Sequence, residues 1–130
     1  MISSIRLDGT TACMHLPGAA DTAAFVTYIG RVLCPTLKPG DIVVMDNLSV
    51  HKSPEVVALV QAVGAEVRFL PAYSPDLNPI ERMWSKIKAL LRSAEARTSE
   101  DLDEAISHAF SKITAKDAAG YFASCGYSII

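Results

Sequence analysis

Apolar residues recur along this chain with more than one period. Between Asp21 and about Leu33 they fall at Phe25, Tyr28, Ile29 and Val32, the i, i+3, i+4, i+7 spacing of one helix stripe. Asp21 is placed to cap that helix. Ile42 to Met45 is instead an unbroken apolar run of strand length, set off by "KPGD" before it and "DN" after it. Such a run predicts a strand covered on both faces, as in a parallel sheet. Ser53 and Pro54 open a second helix that buries Val56, Leu59, Val60 and Val63, with Gly64 as its stop. "EVRFL" then reads as another strand, and strand, helix, strand in this order predicts a parallel βαβ unit with a right-handed crossover.

Upstream, "ISSIRLDGTTACMHLP" reads as two short strands about an Asp8-Gly9 turn. Downstream, the turn residues of "AYSPDLNP" precede a long helix expected from Pro79 to about Ser93. Two further helices are expected. One follows Ser99, with Leu102, Ile106, Phe110 and Ile113 inward, and the other follows Thr114. There is no internal repeat or linker, and residues 1–130 are expected to form one α/β domain.

Composition narrows the function classes. Half the chain is hydrophobic, yet no stretch approaches the roughly 20 apolar residues of a membrane span. Met1 leads into "ISSIRL" without the basic and long apolar regions of a signal peptide. Cys13, Cys34 and Cys125 are odd in number and far apart. They make neither a disulfide framework nor a zinc ladder, so a reducing cytoplasm is the expected setting. A net charge of −2 argues against coating nucleic acid by bulk charge. The distribution adds something: Arg82, Lys86, Lys88 and Arg92 form a run without acids, and the acidic "SEDLDE" comes soon after. That segregation predicts a local basic surface.

The candidate chemistry rests on two acids. Asp46 directly follows the apolar strand, and ligands of open α/β sheets gather beyond the carboxyl ends of parallel strands. An Asp there is also a common turn residue. Glu81 is equally double-edged. Asn78-Pro79-Ile80-Glu81 has the form of a capping box, in which the acid reaches back to the cap's backbone N–H. Yet the strand ending near Leu70 delivers the chain to the same rim of the sheet as Asp46. Two carboxylates converging there would suit a Mg²⁺ ion, whose remaining positions are filled by water and substrate phosphate. From Glu81 a stripe continues through Ser85, Lys88 and Arg92, beside an apolar stripe of Ile80, Trp84, Ile87 and Leu91. A basic stripe leading away from a metal ligand is well placed for successive phosphates, and an ordinary solvated helix face looks the same. His51, at the entrance to the second helix, is a candidate to orient a water or touch a phosphate, or a loop residue without a role. His15 and His108 read as structural.

Taken together, "DIVVMDNLSVHKS" and "VRFLPAYSPDLNPIERMWSKIKALLR" resemble the catalytic core of bacterial insertion-sequence transposases of the mariner superfamily. The likeness extends to the hairpin, to "PTLKPGDIV" and to the closing "YFASCGY". Thirty-four residues separate Asp46 from Glu81, matching that superfamily's second and third acidic ligands. The resemblance implies a ribonuclease-H-like α/β fold, a mixed sheet flanked by helices, and DDE chemistry on DNA. It implies that Asp46 and Glu81 hold Mg²⁺ or Mn²⁺, that Asn47 and His51 support the site or the DNA, and that Lys88 and Arg92 hold backbone phosphates. Transposon ends and target DNA are the implied partners.

That family also carries a first catalytic Asp on the central strand, and a helix-turn-helix region before it. Neither is expected in this chain, which begins on the second strand of the fold. Asp8 is no substitute, because a hairpin turn points its side chain away from the strand ends. The expectation is therefore the C-terminal part of a transposase, from a truncated copy or a second reading frame, inactive alone. An upstream-frame polypeptide or a second copy of the chain is the expected protein partner. The competing readings are a non-catalytic remnant, a DNA- or protein-binding module, and a structural domain in which Asp46 turns and Glu81 caps.

Overall fold

Tight local hydrogen bonding sets the first element. β1 (Ile2–Ile5) and β2 (Thr11–Met14) form a two-stranded hairpin in a computed structural model that describes residues 1–15, 21–46, 52–72 and 74–127. The loop is one residue longer than a minimal Asp-Gly turn. Arg6 N–H donates to Thr10 O at 2.9 Å and Gly9 N–H to Arg6 O at 3.0 Å, leaving Leu7, Asp8 and Gly9 as a three-residue loop. Gly9 sits at φ +92°, and Asp8 Oδ1 accepts the Thr10 N–H at 2.8 Å. The Asp8 carboxylate thus serves the turn.

The described chain is α/β, and it divides into two compact units. One comprises Met1–Ser4 and Ala12–Asn78, the other Ile5–Thr11 and Pro79–Ile130. In the first, α1 (Thr22–Tyr28) is capped as expected, with Asp21 Oδ1 accepting the Ala24 N–H at 2.8 Å. The expected helix does not continue regularly to Leu33. It widens into a π turn over Ile29–Leu33 and then tightens into a 3₁₀ turn over Cys34–Thr36. A π turn takes up an extra residue, so the apolar stripe shifts: Phe25, Tyr28, Ile29 and Leu33 are buried and Val32 only half-buried. Tyr28 is held inside by its hydroxyl, which donates to Ala12 O at 2.7 Å, and burial pushes its pKa up to about 12.

β3 (Ile42–Met45) and β4 (Glu66–Phe69) pair in parallel, with Ile42 opposite Glu66 and Met45 opposite Phe69. α2 (Pro54–Ala62) connects them and buries Val56 and Val60 completely. It ends in a Schellman arrangement: Gly64 at φ +81° donates to Gln61 O, and Ala65 N–H to Val60 O. With Met45 and Ala65, these residues and the α1 stripe form one core. The expectation that β3 is covered on both faces is overturned. Its side chains alternate, with Met45 buried while Ile42 and Val44 are 49% and 38% exposed. On that outer face they lie beside Glu66 and Arg68, which pair with each other at 3.2 Å.

The second unit is helical apart from the hairpin tip. α3 (Pro79–Ala94) buries Pro79, Met83 and Ile87, and α4 (Ser99–Ser111) buries Ile106 and Ala109. Of the residues expected inward on and after α4, Ile113 is buried while Leu102 and Phe110 are half-buried. Trp84 meets Phe110 edge to face with centroids 6.0 Å apart. α5 (Ala115–Ser124) opens on a complete capping box between Thr114 and Asp117. Among the described residues no helix is long and apolar enough to cross a membrane.

Candidate metal and nucleic-acid site

Asp46 owes its place to the anchoring of β3. Gly40 N–H donates to Gly64 O at 2.9 Å, tying the approach of the strand to the end of α2. Glu66 N–H then donates to Asp41 O at 2.9 Å and Leu70 N–H to Met45 O at 2.7 Å, so the parallel pairing is bracketed at both ends. Asp46 follows at the carboxyl end of the strand, half-buried, with its Oδ1 shielded from solvent. This is the rim at which α/β sheets collect ligands.

Glu81 lies in the first turn of α3 and is exposed. The capping-box reading can be checked at one atom, the backbone N–H of Asn78. That N–H donates to Pro75 O at 3.1 Å, closing the 3₁₀ turn Pro75–Leu77. The donor a capping box would give to Glu81 is therefore already engaged. Ser85, Lys88 and Arg92 continue from Glu81 along one exposed face, as the spacing predicts. The fully buried face of α3 is Pro79, Met83 and Ile87, while Ile80, Trp84 and Leu91 are half-buried.

The structure thus gathers Glu81, Lys88 and Arg92 on α3 in the second unit, and sets Asp46 at the strand end of the first. Asn47 and His51 lie outside the described residues. One feature of α3 had no local signal in the sequence. Lys86, read as part of the basic run, is engaged by Lys112 O and by Asp117, which lies 31 residues further along the chain.

The donors offered by Asp46 and Glu81 are hard carboxylate oxygens, which suit Mg²⁺ or Mn²⁺ in kind. Among the described residues no group of three or more His, Cys, Asp or Glu is gathered to hold a metal ion. Asp46 ends a strand of the first unit, and in the second Glu81 starts a helix whose Lys88 and Arg92 give it a cationic face.

The family described as DDE superfamily endonuclease matches residues 1–103. No curated protein matches the chain. The family match spans the hairpin, both parallel strands, all of α3 and the start of α4. It covers well over half of the 130 residues, and the chain belongs to the DDE superfamily endonucleases, nuclease domains that cut DNA with divalent metal ions.

Proposed function

We propose that this chain is the C-terminal catalytic part of a bacterial insertion-sequence transposase of the mariner superfamily, in which Asp46 and Glu81 are two of the acidic metal ligands. The observation that carries this reading is at Glu81. Its carboxylate opens α3 without closing a capping box, because the Asn78 N–H is given to Pro75. The 34-residue interval to Asp46 and the family membership support the same assignment.

Each residue has a distinct task. Asp46, at the end of a strand anchored at both ends, presents one carboxylate. Glu81 presents a second carboxylate from a rigid helix end. Asn47 and His51 support the site or the DNA beside it. Lys88 and Arg92 hold backbone phosphates, a role that positions DNA without reading its sequence. When bound, Mg²⁺ or Mn²⁺ activates the attacking oxygen and stabilises the leaving one in DNA cleavage and strand transfer. Two carboxylates alone make a weak site for such ions. A third acid beyond Asp46 and Glu81 would complete such a site.

Calorimetric titration of the 130-residue chain with Mg²⁺ and Mn²⁺, beside Asp46→Asn and Glu81→Gln, tests the reading. The expected result is weak binding that either substitution abolishes. Because Glu81 closes no capping box, the melting temperature of Glu81→Gln should stay at the wild-type value. A folded wild type that binds no ion, with a Glu81→Gln variant that melts earlier, would reduce Glu81 to a structural residue and sink the assignment.

A further inference from the structure

Among the cations of α3, Lys86 behaves unlike the rest. Lys88 and Arg92 are exposed and make no ion pair among the described residues. Lys86 Nζ instead donates to Lys112 O at 2.8 Å and to Asp117 Oδ2 at 2.5 Å. Only about a third of either charged side chain in this pair is exposed, 34% for Lys86 and 28% for Asp117.

Both acceptors mark helix ends. Lys112 is the C-cap of α4, where backbone carbonyls lack intrahelical partners and a cation is favoured. Asp117 belongs to the box that starts α5. Its Oδ2 also accepts the Thr114 N–H at 3.1 Å, and its own N–H donates to Thr114 Oγ1 at 3.0 Å. The Lys86 ammonium therefore fills the corner where α4 ends and α5 begins. It adds a directional tie on α3 to the burial of Met83 and Ile87 and the Trp84–Phe110 contact.

We propose that Lys86 is a positioning residue: it fixes the rotation of α3 against α4 and α5, so that Glu81, Ser85, Lys88 and Arg92 present one face to DNA, and it makes no phosphate contact itself. This inference rests on reading α3 as a DNA-binding face. It divides the basic run into residues that touch the ligand and one that aims them.

The test is binding of the full chain to a fluorescent duplex, followed by anisotropy over a range of salt, for wild type, Lys86→Met, Lys86→Arg, Asp117→Asn and Lys88→Ala. Removing a phosphate contact lowers the salt slope by about 0.9, as expected for Lys88→Ala. Lys86→Met should weaken binding about fivefold, roughly one lost hydrogen bond, with the slope unchanged, and Lys86→Arg should restore it. Asp117→Asn gives the sharpest contrast. It removes a negative charge, so bulk electrostatics alone would tighten binding, whereas loss of the tie weakens it.

A lowered slope in Lys86→Met would make Lys86 a phosphate contact and overturn the proposal. Tighter binding by Asp117→Asn, or unaltered affinity in both variants, would reduce the tie to a packing feature and overturn it equally. Should Lys86→Met fail to fold, Lys86→Arg and Asp117→Asn still decide. A wild type with no salt-dependent binding removes the DNA-binding face itself, and that failure is visible before any variant is compared.

Discussion

Glu81 and Asp117 each stand three residues after a potential helix cap, and they do opposite things. Asp117 closes a box with Thr114 at the start of α5, whereas Glu81 leaves the Asn78 N–H to Pro75. In the sequence both positions look alike, and the Asn78-Glu81 pair is the more conspicuous of the two. The difference arises upstream, where Pro75 starts a 3₁₀ turn whose last hydrogen bond takes the donor. A competing local bond of this kind is invisible to any rule based on spacing within the helix. The engaged acid also has a pH signature. The Lys86 hydrogen bond, followed by the Thr114 N–H, holds the Asp117 carboxyl below the usual carboxylate range. The folded chain thus binds this proton less tightly than the unfolded chain. Stability from the group is complete above the unfolded pKa of about 3.9 and is lost as pH falls through the folded value. Denaturant melts on the acid side should show a shallower loss of stability for Asp117→Asn than for wild type.

Among the elements, those whose boundaries are set by side-chain chemistry were legible. Asp21 caps α1, Gly64 stops α2, and α3 begins at Pro79 and ends at Ala94, within a residue of expectation. The π turn was not legible, since nothing in "IGRVL" marks an extra residue. Over and after that turn the chain packs against α2: Gly30 approaches Leu59, and Cys34 donates its thiol proton to Leu59 O at 3.6 Å. Two glycines make the same point by contrast. A Cβ on Gly30 would lie 3.6 Å from Leu59 Cδ1, an ordinary contact at a residue without positive φ. Gly30→Ala should therefore stabilise the chain by about 0.5–1 kcal/mol. A Cβ on Gly9 would lie 2.8 Å from Ala115 N, at φ +92°. Gly9→Ala should cost about 2 kcal/mol or more. Thermal melts of the two variants should move in opposite directions.

At the scale of the whole molecule, the α/β class and the parallel βαβ unit followed from hydrophobic periodicity, and the covering of the sheet did not. "IVVM" has the composition of a strand buried on both sides, yet Ile42 and Val44 face outward. Periodicity reports what a strand tolerates, and whether a second layer exists is a property of everything packed around it. Exposed β-branched residues on a short uncharged strand favour association between chains. Ile42→Thr, which keeps strand propensity while adding polarity, should raise the concentration at which light scattering detects aggregates. Its stability should change by less than about 0.5 kcal/mol.

The placement of Asp46 was legible as a strand end, but how firmly it is placed was not. Gly40 is joined to Gly64, and five residues lie between that joint and the carboxylate. Because side chains alternate along a strand, the parity of this interval decides on which side of the sheet Asp46 emerges. Exchanging one strand residue for another leaves the parity untouched, while gaining or losing a single codon reverses it. The interval can take new letters without moving Asp46 to the other face, but not a new length of opposite parity.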